Sequence, residues 1–432
     1  MLQRKMMRQL MEWKRSRKKD CLLVHGVRQC GKTYLIREFG KAEYRNLIEI
    51  NFIRQPDMAD AFGGSLAVDD LIRNLTFIAP ELRFVPGETL LFLDEIQECP
   101  NARTSLKFWA EDGRFDVIAS GSLLGIQYRN ITSIPVGYET QVKMYPLDFE
   151  EYLWAKGVSP EAVEGLRTYL DGEHKIPEAI HTAMLRYYRE YMVTGGMPDV
   201  VNTLLETGDY REVQRMQDRL LADYRDDIAK YAENSVRIKA QACYASIPGQ
   251  LTKDNHKFQY SAVERKGTAR KFENSLEWLE AAGMVYRSRN LSLPAFPLRA
   301  YEKPDQFRLY LSDIGLFTAM FGFQMKAAIL NDTLTGPAKG GIYESAVADL
   351  LAKKDRPLYY YKREDSTLEI EFFLEEDAAV VPLEVKANRG STRSLNELLK
   401  DAAIGKGYKL TAQNTGRDGK KITLPMYLAM FL

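Results

Sequence analysis

A chain of 432 residues has room for several domains with full hydrophobic cores. Its 45% hydrophobic and 28% charged residues are ordinary globular values, and a net charge of +1 excludes a global polyanion-binding signal. Cys21, Cys30, Cys99 and Cys243 lie far apart with no C-x-x-C pair, which argues against a zinc module or disulfide framework and points to a reducing cytoplasm. Neither a signal-peptide h-region nor an unbroken apolar run of membrane-spanning length is present, so no membrane association through a spanning helix is expected.

Charge is uneven along the chain. Residues 1–19 carry eight Lys/Arg against one acid, with Leu2, Met6, Leu10 and Trp13 at helical spacing. Such a basic amphipathic helix suits a membrane surface, a nucleic acid, or packing against a core. Next comes an apolar strand, Cys21-Leu22-Leu23-Val24, then His25-Gly26-Val27-Arg28-Gln29-Cys30-Gly31-Lys32-Thr33, then a helical pattern from Tyr34. The spacing G-x-x-x-x-G-K-[ST] between strand and helix is a phosphate loop. Gly26 and Gly31 let consecutive N–H groups, through Val27, Arg28, Gln29 and Cys30, face a polyphosphate at the positive end of the helix. Lys32 is expected at the β- and γ-phosphates of ATP, the Thr33 hydroxyl at one Mg²⁺ position, and Tyr34 after them among the nucleotide-binding residues.

Asn46–Phe52 reads as a second strand and Thr89-Leu90-Leu91-Phe92-Leu93-Asp94-Glu95 as a buried third, with acids at its tip. In a doubly wound sheet that tip shares a crevice with the phosphate loop. Asp94 is then a candidate to hold Mg²⁺, and Glu95 to orient and activate the attacking water. A fourth strand, Phe115–Ala119, runs into Ser120-Gly121-Ser122, which makes Ser120 a candidate sensor of the γ-phosphate or holder of the water. Arg28, Arg103, Arg114 and Arg129 are candidates for sensing ATP charge. A short strand stopped by proline is expected at Tyr145-Pro146, closing the core.

Residues 160–230 read as helices interrupted at Thr194-Gly195-Gly196-Met197-Pro198, a break that suits either an approach to adenine or a plain helix connection. Residues 235–313 suggest a winged helix-turn-helix. A helix from Thr268 turns Phe272, Leu276 and Leu279 inward and offers Arg270, Lys271 and Asn274 outward. The strands Met284–Arg287 and Phe307–Leu311 would form the wing. Contact with DNA and use as a protein-binding module both fit. In the tail, Leu368–Leu374 and Val380–Lys386 read as alternating strands, so Glu369 and Glu371 share a face, as do Glu384 and Lys386. Glu371 facing E-x-K, with Glu344 added from a helix, is a candidate second Mg²⁺ site in which Lys386 steadies an attacking water.

Taken together these strings resemble prokaryotic AAA-type ATPases with a C-terminal domain related to restriction endonucleases. The resemblance rests on the phosphate loop with Arg28, Leu91–Glu95, Ser120-Gly121-Ser122 and Pro146-Leu147-Asp148-Phe149-Glu150. It extends to Gly195-Gly196-Met197-Pro198, Leu311-Ser312-Asp313-Ile314-Gly315-Leu316, Ile370-Glu371-Phe372 and Leu383-Glu384-Val385-Lys386. It implies an α/β architecture: a parallel-sheet P-loop NTPase core of AAA or STAND type (1–155), a helical lid (156–230), a winged helix-turn-helix (231–330) and a restriction-endonuclease-like domain (331–432). It also implies binding of ATP and Mg²⁺ and places Pro198 beside the nucleotide. This sequence departs from the pattern at Gly137-Tyr138, where relatives often have Gly-Arg, and at Glu371, where they often have Asp. The expected function is an ATP-hydrolysing switch or motor that contacts DNA through the winged helix. The alternatives are a signalling ATPase that binds a protein partner or its own copies, and an ATP-gated, Mg²⁺-dependent nuclease.

Overall fold

The computed structural model describes residues 2–16, 19–122, 137–232, 234–365, 367–387 and 392–432. By packing, the chain forms two units, one mainly Gln3–Pro146 and the other Leu147–Glu280 with Met284–Leu432.

The first unit is built on a parallel five-stranded sheet ordered β2-β3-β4-β1-β5. The strands are β1 (Cys21–Gly26), β2 (Asn46–Asn51), β3 (Thr89–Asp94), β4 (Asp116–Ser122) and β5 (Glu139–Met144). Alternation dictates the layering. Leu22, Val24, Leu90 and Phe92 face a core shared with Leu35, Ile36 and Phe39 of helix α2 (Lys32–Glu43). Cys21, Leu23, Leu91 and Leu93 face the opposite layer, with helices α3 (Val68–Ile78) and α4 (Pro100–Asp112). Helix α1 (Lys5–Arg15) buries Met6 and Leu10 in the α2 layer, so its apolar stripe is spent on the core. The expected strand at Tyr145 ends one residue earlier: β5 is Glu139–Met144, an edge strand with one neighbour, β1. Edge position explains why its Thr-Gln-Val-Lys alternation carries little apolar signal.

The second unit opens on α5 (Phe149–Ala155) and α6 (Pro160–Gly165), followed by α7 (Glu178–Thr194), α8 (Pro198–Thr207) and α9 (Tyr210–Tyr231). Helices α10 (Asn234–Leu251), α11 (Tyr260–Val263) and α12 (Ala269–Ala281) lead into an antiparallel hairpin of β6 (Val285–Leu291) and β7 (Glu302–Leu311). Phe272, Leu276 and Leu279 are buried, as their spacing predicts. Two short helices, α13 (Ile314–Ala319) and α14 (Phe323–Leu330), precede α15 (Gly336–Ala352), which is buried from Gly341 to Ala352. Being buried all round, α15 has no amphipathic pattern to read.

Beyond it, β8 (Leu358–Lys362) pairs in parallel with β6 of the hairpin and antiparallel with β9 (Glu369–Ile370). A five-stranded sheet then joins β10 (Phe372–Glu376), β11 (Ala379–Lys386), β12 (Gly407–Thr411), β13 (Gly416–Asp418) and β14 (Lys421–Pro425), with α16 (Arg393–Leu398) inserted before β12. The expected single strand Leu368–Leu374 is broken, because Glu371 sits in a bend between β9 and β10.

Candidate functional site

Strand β1 ends at Gly26, and the loop Val27–Gly31 turns the chain into α2. Gly31 has φ 95°, a left-handed conformation in which a Cβ would be strained, and so caps the helix where most residues would not. Gln29 also lies at positive φ (62°) and is exposed, so the loop holds one non-glycine residue in a sparsely populated region. Val27 and Cys30 are buried beneath the loop, Arg28 is half-buried and Tyr34 is exposed on the first turn. Lys32 is 9% exposed, and its ammonium donates to the carbonyls of Gly26 (3.1 Å) and Val27 (2.9 Å). The lysine charge is thus held inside the loop that would receive an anion.

The tip of β3 meets this loop. The Thr33 hydroxyl donates to Asp94 Oδ2 at 3.0 Å, across a sequence separation of 61. Asn51, at the end of β2, donates its side-chain amide to the same oxygen at 2.8 Å. On the other side Ser120 Oγ donates to Asp94 Oδ1. Asp94 is 2% exposed and Ser120 fully buried, so this carboxylate is a desolvated acceptor ringed by oriented donors. Parallel pairing sets the arrangement: Asn51 is the register partner of Asp94, and Ala119 that of Leu93. Glu95 follows in a left-handed turn (φ 54°), half-buried, with Gln97 Nε2 donating to its carboxylate.

The structure therefore brings Lys32, Thr33, Asp94 and Ser120 into one first-unit cluster and adds Asn51. Asn51 lies in a strand read from sequence, but nothing in a lone asparagine at a strand end marks it. Of the candidate arginines, Arg103 is committed to a buried ion pair with Glu139 (2.8 Å) and Arg114 to Asp69 and Asp112. Arg129 lies outside the described residues.

The second unit explains other motifs by packing. Gly195-Gly196-Met197-Pro198 turns between α7 and α8, with Pro198 as the first residue of α8. The Gly196 N–H donates to Asp313 Oδ2 at 2.7 Å, and its carbonyl accepts from the Leu147 N–H at 2.7 Å. A Cβ on Gly196 would fall 1.9 Å from the Leu147 carbonyl oxygen, so a bare backbone is required. Asp313 also caps α13 through the Leu316 N–H (3.0 Å). Two distant motif strings thus form one clasp.

In the tail, Glu371 accepts from the Val385 N–H (3.0 Å) and lies 3.5 Å from Lys386 Nζ, which also contacts Glu384 at 3.2 Å. Burial pushes the Glu371 carboxyl up to about 7, the charges of Glu344 and Glu384 adding to the effect and Lys386 opposing it. Glu384 is 1% exposed, and its pKa is likewise raised by burial. Glu344 is differently occupied: Arg308 (2.7 Å) and Tyr310 donate to one oxygen, and His256 Nδ1 lies 2.8 Å from the other. Burial opposes ionisation of Glu344, but Arg308 and His256 outweigh it and hold its pKa far below the usual range. Glu369 pairs with Arg308 and Lys362, away from the Glu371 partners. Among the described residues no three His, Cys, Asp or Glu side chains form a metal-holding group.

The outward residues of α12 are exposed, but much of the nearby positive charge is paired. Lys271 contacts Glu264, Arg287 contacts Glu273 and Glu280, and Arg289 contacts Glu280 and Glu302. Among the described residues no helix is long and apolar enough to cross a membrane.

Comparison with known proteins agrees with the first-unit geometry. A family model described as an AAA domain matches residues 18–153. Two described as domains of unknown function match residues 185–327 (DUF8612) and 339–428 (DUF4143). No curated protein matches the chain. Among solved structures, the Walker-type ATPase of Pyrococcus abyssi aligns at 15% identity and TM-score 0.43, over 74% of this chain and 96% of that one. The Aeropyrum pernix ORC1 protein in complex with DNA aligns at 13% identity and TM-score 0.30, over 75% and 93%. AMPPCP-bound DnaA from Aquifex aeolicus aligns at 13% identity and TM-score 0.29, over 64% and 86%. At these TM-scores none of the three transfers a role to this chain. Residues 18–153 are an AAA-type P-loop ATPase domain by sequence match, with the parallel sheet and loop such a domain requires.

Proposed function

We propose that this protein is an ATP-binding, ATP-hydrolysing switch whose second unit engages a macromolecular partner. The observation that carries the reading is the 3.0 Å contact between the Thr33 hydroxyl and the Asp94 carboxylate, beside a lysine buried in a phosphate loop. The N–H groups of residues 27–33 and the Lys32 ammonium bind and orient the triphosphate. Thr33 and Asp94 fit a hard divalent cation, since they supply a hydroxyl and a carboxylate oxygen. Mg²⁺ there would neutralise charge on the β- and γ-phosphate oxygens. Glu95 accepts the proton of the attacking water and Ser120 senses the γ-phosphate. Filter binding with phosphate release tests these roles. Lys32→Ala is expected to abolish nucleotide binding, and Glu95→Gln to keep ATP but stop turnover. Wild-type turnover in either variant removes the assignment.

The partner reading follows from charge. Helices α10 to α12 with the β6–β7 hairpin run in the order of a winged helix. A DNA-binding face gains its affinity from unpaired Lys/Arg that replace counterions on phosphates. Here Lys271, Arg287 and Arg289 have acidic partners within the same unit, which favours a protein target over DNA. DNA affinity that falls with salt and drops in an Arg270/Lys271 double-alanine variant would reverse that preference. A nuclease reading rests on Glu371, Glu384 and Lys386, because Glu344 is taken up by Arg308, Tyr310 and His256. It requires plasmid cleavage in Mg²⁺ or Mn²⁺ that Lys386→Ala abolishes.

A further inference from the structure

The first helix does more than cover a core. Arg4, the residue that starts α1, is 9% exposed and lies behind the phosphate loop. Its guanidinium donates to the Cys30 carbonyl at 3.0 Å and to the Tyr145 carbonyl at 2.6 Å. Met6 and Leu10, two and six residues further on, are buried in the same core as Val27, Cys30 and Leu35, so the helix is anchored where it delivers the arginine. The Cys30 thiol lies 3.6 Å from the Met144 carbonyl, which places the back of the loop against the end of β5.

We infer that Arg4 is a positioning residue for nucleotide binding, acting through one peptide unit of the phosphate loop. The reason is covalent geometry. The Cys30 carbonyl and the Gly31 N–H belong to the same planar trans peptide and point in opposite directions. A cation that holds the carbonyl on the inner side of the loop turns that N–H outward, toward the phosphates. Without it the peptide is free to flip and present a carbonyl oxygen to an anion. The charge-assisted bond and its second tie at Tyr145 fix the loop and the end of β5 to a common point.

This inference rests on the ATP-binding reading of the loop, and the experiment separates the two. Affinities for MgATP and MgADP are measured by calorimetry on the full chain for wild type, Lys32→Ala, Arg4→Ala, Arg4→Met and Arg4→Lys, with melting recorded without nucleotide. Arg4→Ala and Arg4→Met are expected to bind both nucleotides about tenfold more weakly, the scale of one charged hydrogen bond. Arg4→Lys is expected to recover part of the loss, since an ammonium reaches one carbonyl well but lacks the fork that holds two. A role in anchoring α1 alone would lower the melting temperature and leave the affinity of the folded protein unchanged. Should Arg4→Ala not fold, Arg4→Met keeps the buried stem and carries the same expectation. Wild-type affinity in Arg4→Met overturns the inference while the ATP-binding reading stands. A wild-type chain that binds no nucleotide overturns both.

Discussion

Substituting Asp94 separates what this carboxylate does for the fold from what it does for ATP. Its oxygens accept from Thr33, Asn51 and Ser120 in a site 2% exposed to water. Asp94→Ala leaves those donors without their acceptor. Ser120 is fully buried, whereas Thr33 and Asn51 are half-buried and can turn to water; a buried unpaired donor costs about 1–3 kcal/mol, so the apo protein should lose about that much. Asp94→Asn behaves differently. With its carbonyl oxygen at the Oδ2 position it still accepts from Thr33 and Asn51, and its amide meets Ser120, whose hydroxyl rotates to accept. Apo stability should then change by about 1 kcal/mol or less, a melting shift of roughly 2–4 °C. What is lost is the negative charge that, on the proposed reading, would face Mg²⁺. Turnover should fall on the order of a hundredfold or more, while metal-free ATP binding survives. Calorimetric melts of both apo variants, with phosphate release measured across an Mg²⁺ titration, decide the matter. Near-wild-type turnover in Asp94→Asn would refute the cation role, and equal destabilisation by both substitutions would refute the hydrogen-bond argument.

Two further outcomes follow from the second unit. Gly196→Ala places a methyl 1.9 Å from the Leu147 carbonyl oxygen, a backbone atom that cannot rotate away. A loss of about 3 kcal/mol is expected in urea unfolding, and a variant as stable as wild type would show that the turn relaxes. Lys326 is fully buried and donates to the Val193 carbonyl and to Gln217. Burial lowers its pKa to about 7, against the attraction of Asp313 and Asp218. Between pH 7 and the unfolded value of 10.5 the native state therefore holds fewer protons than the unfolded one at this site, so its contribution to stability rises with pH. Lys326→Met should be less dependent on pH than wild type between pH 7 and 9. Parallel urea midpoints for the two proteins at both values would exclude this assignment.

Most of the candidate nucleotide site is legible because its chemistry is local. A loop of fixed spacing between strand and helix, and an acid pair ending an apolar run, are contiguous strings. Residues contributed across the fold are not. Asn51 reaches Asp94 only through the β2–β3 register, and Arg4 reaches Cys30 through the packing of α1. The glycine turn at Gly195-Gly196 is visible as a break, whereas its partner Asp313 lies 117 residues beyond Gly196. The tail misleads for a different reason. Alternation places Glu369 and Glu371 together, but the bend at Glu371 separates them, leaving Glu369 to Arg308 and Glu371 to Val385 and Lys386. The surroundings of Glu344 could not be read at all, since His256, Arg308 and Tyr310 come from other elements.

The parallel ladder Ser288↔Leu358, Arg289↔Tyr359 and Asn290↔Tyr360 makes β6 an interior strand, with β7 on one flank and β8 on the other. Asn290 adds a side-chain bond to the Lys362 N–H at 2.9 Å. A fragment ending before β8 would therefore bare a row of amides and carbonyls that the whole protein keeps covered. Such an edge recruits strands from neighbouring molecules, so shortened versions made to isolate the hairpin module should clump rather than stay monodisperse.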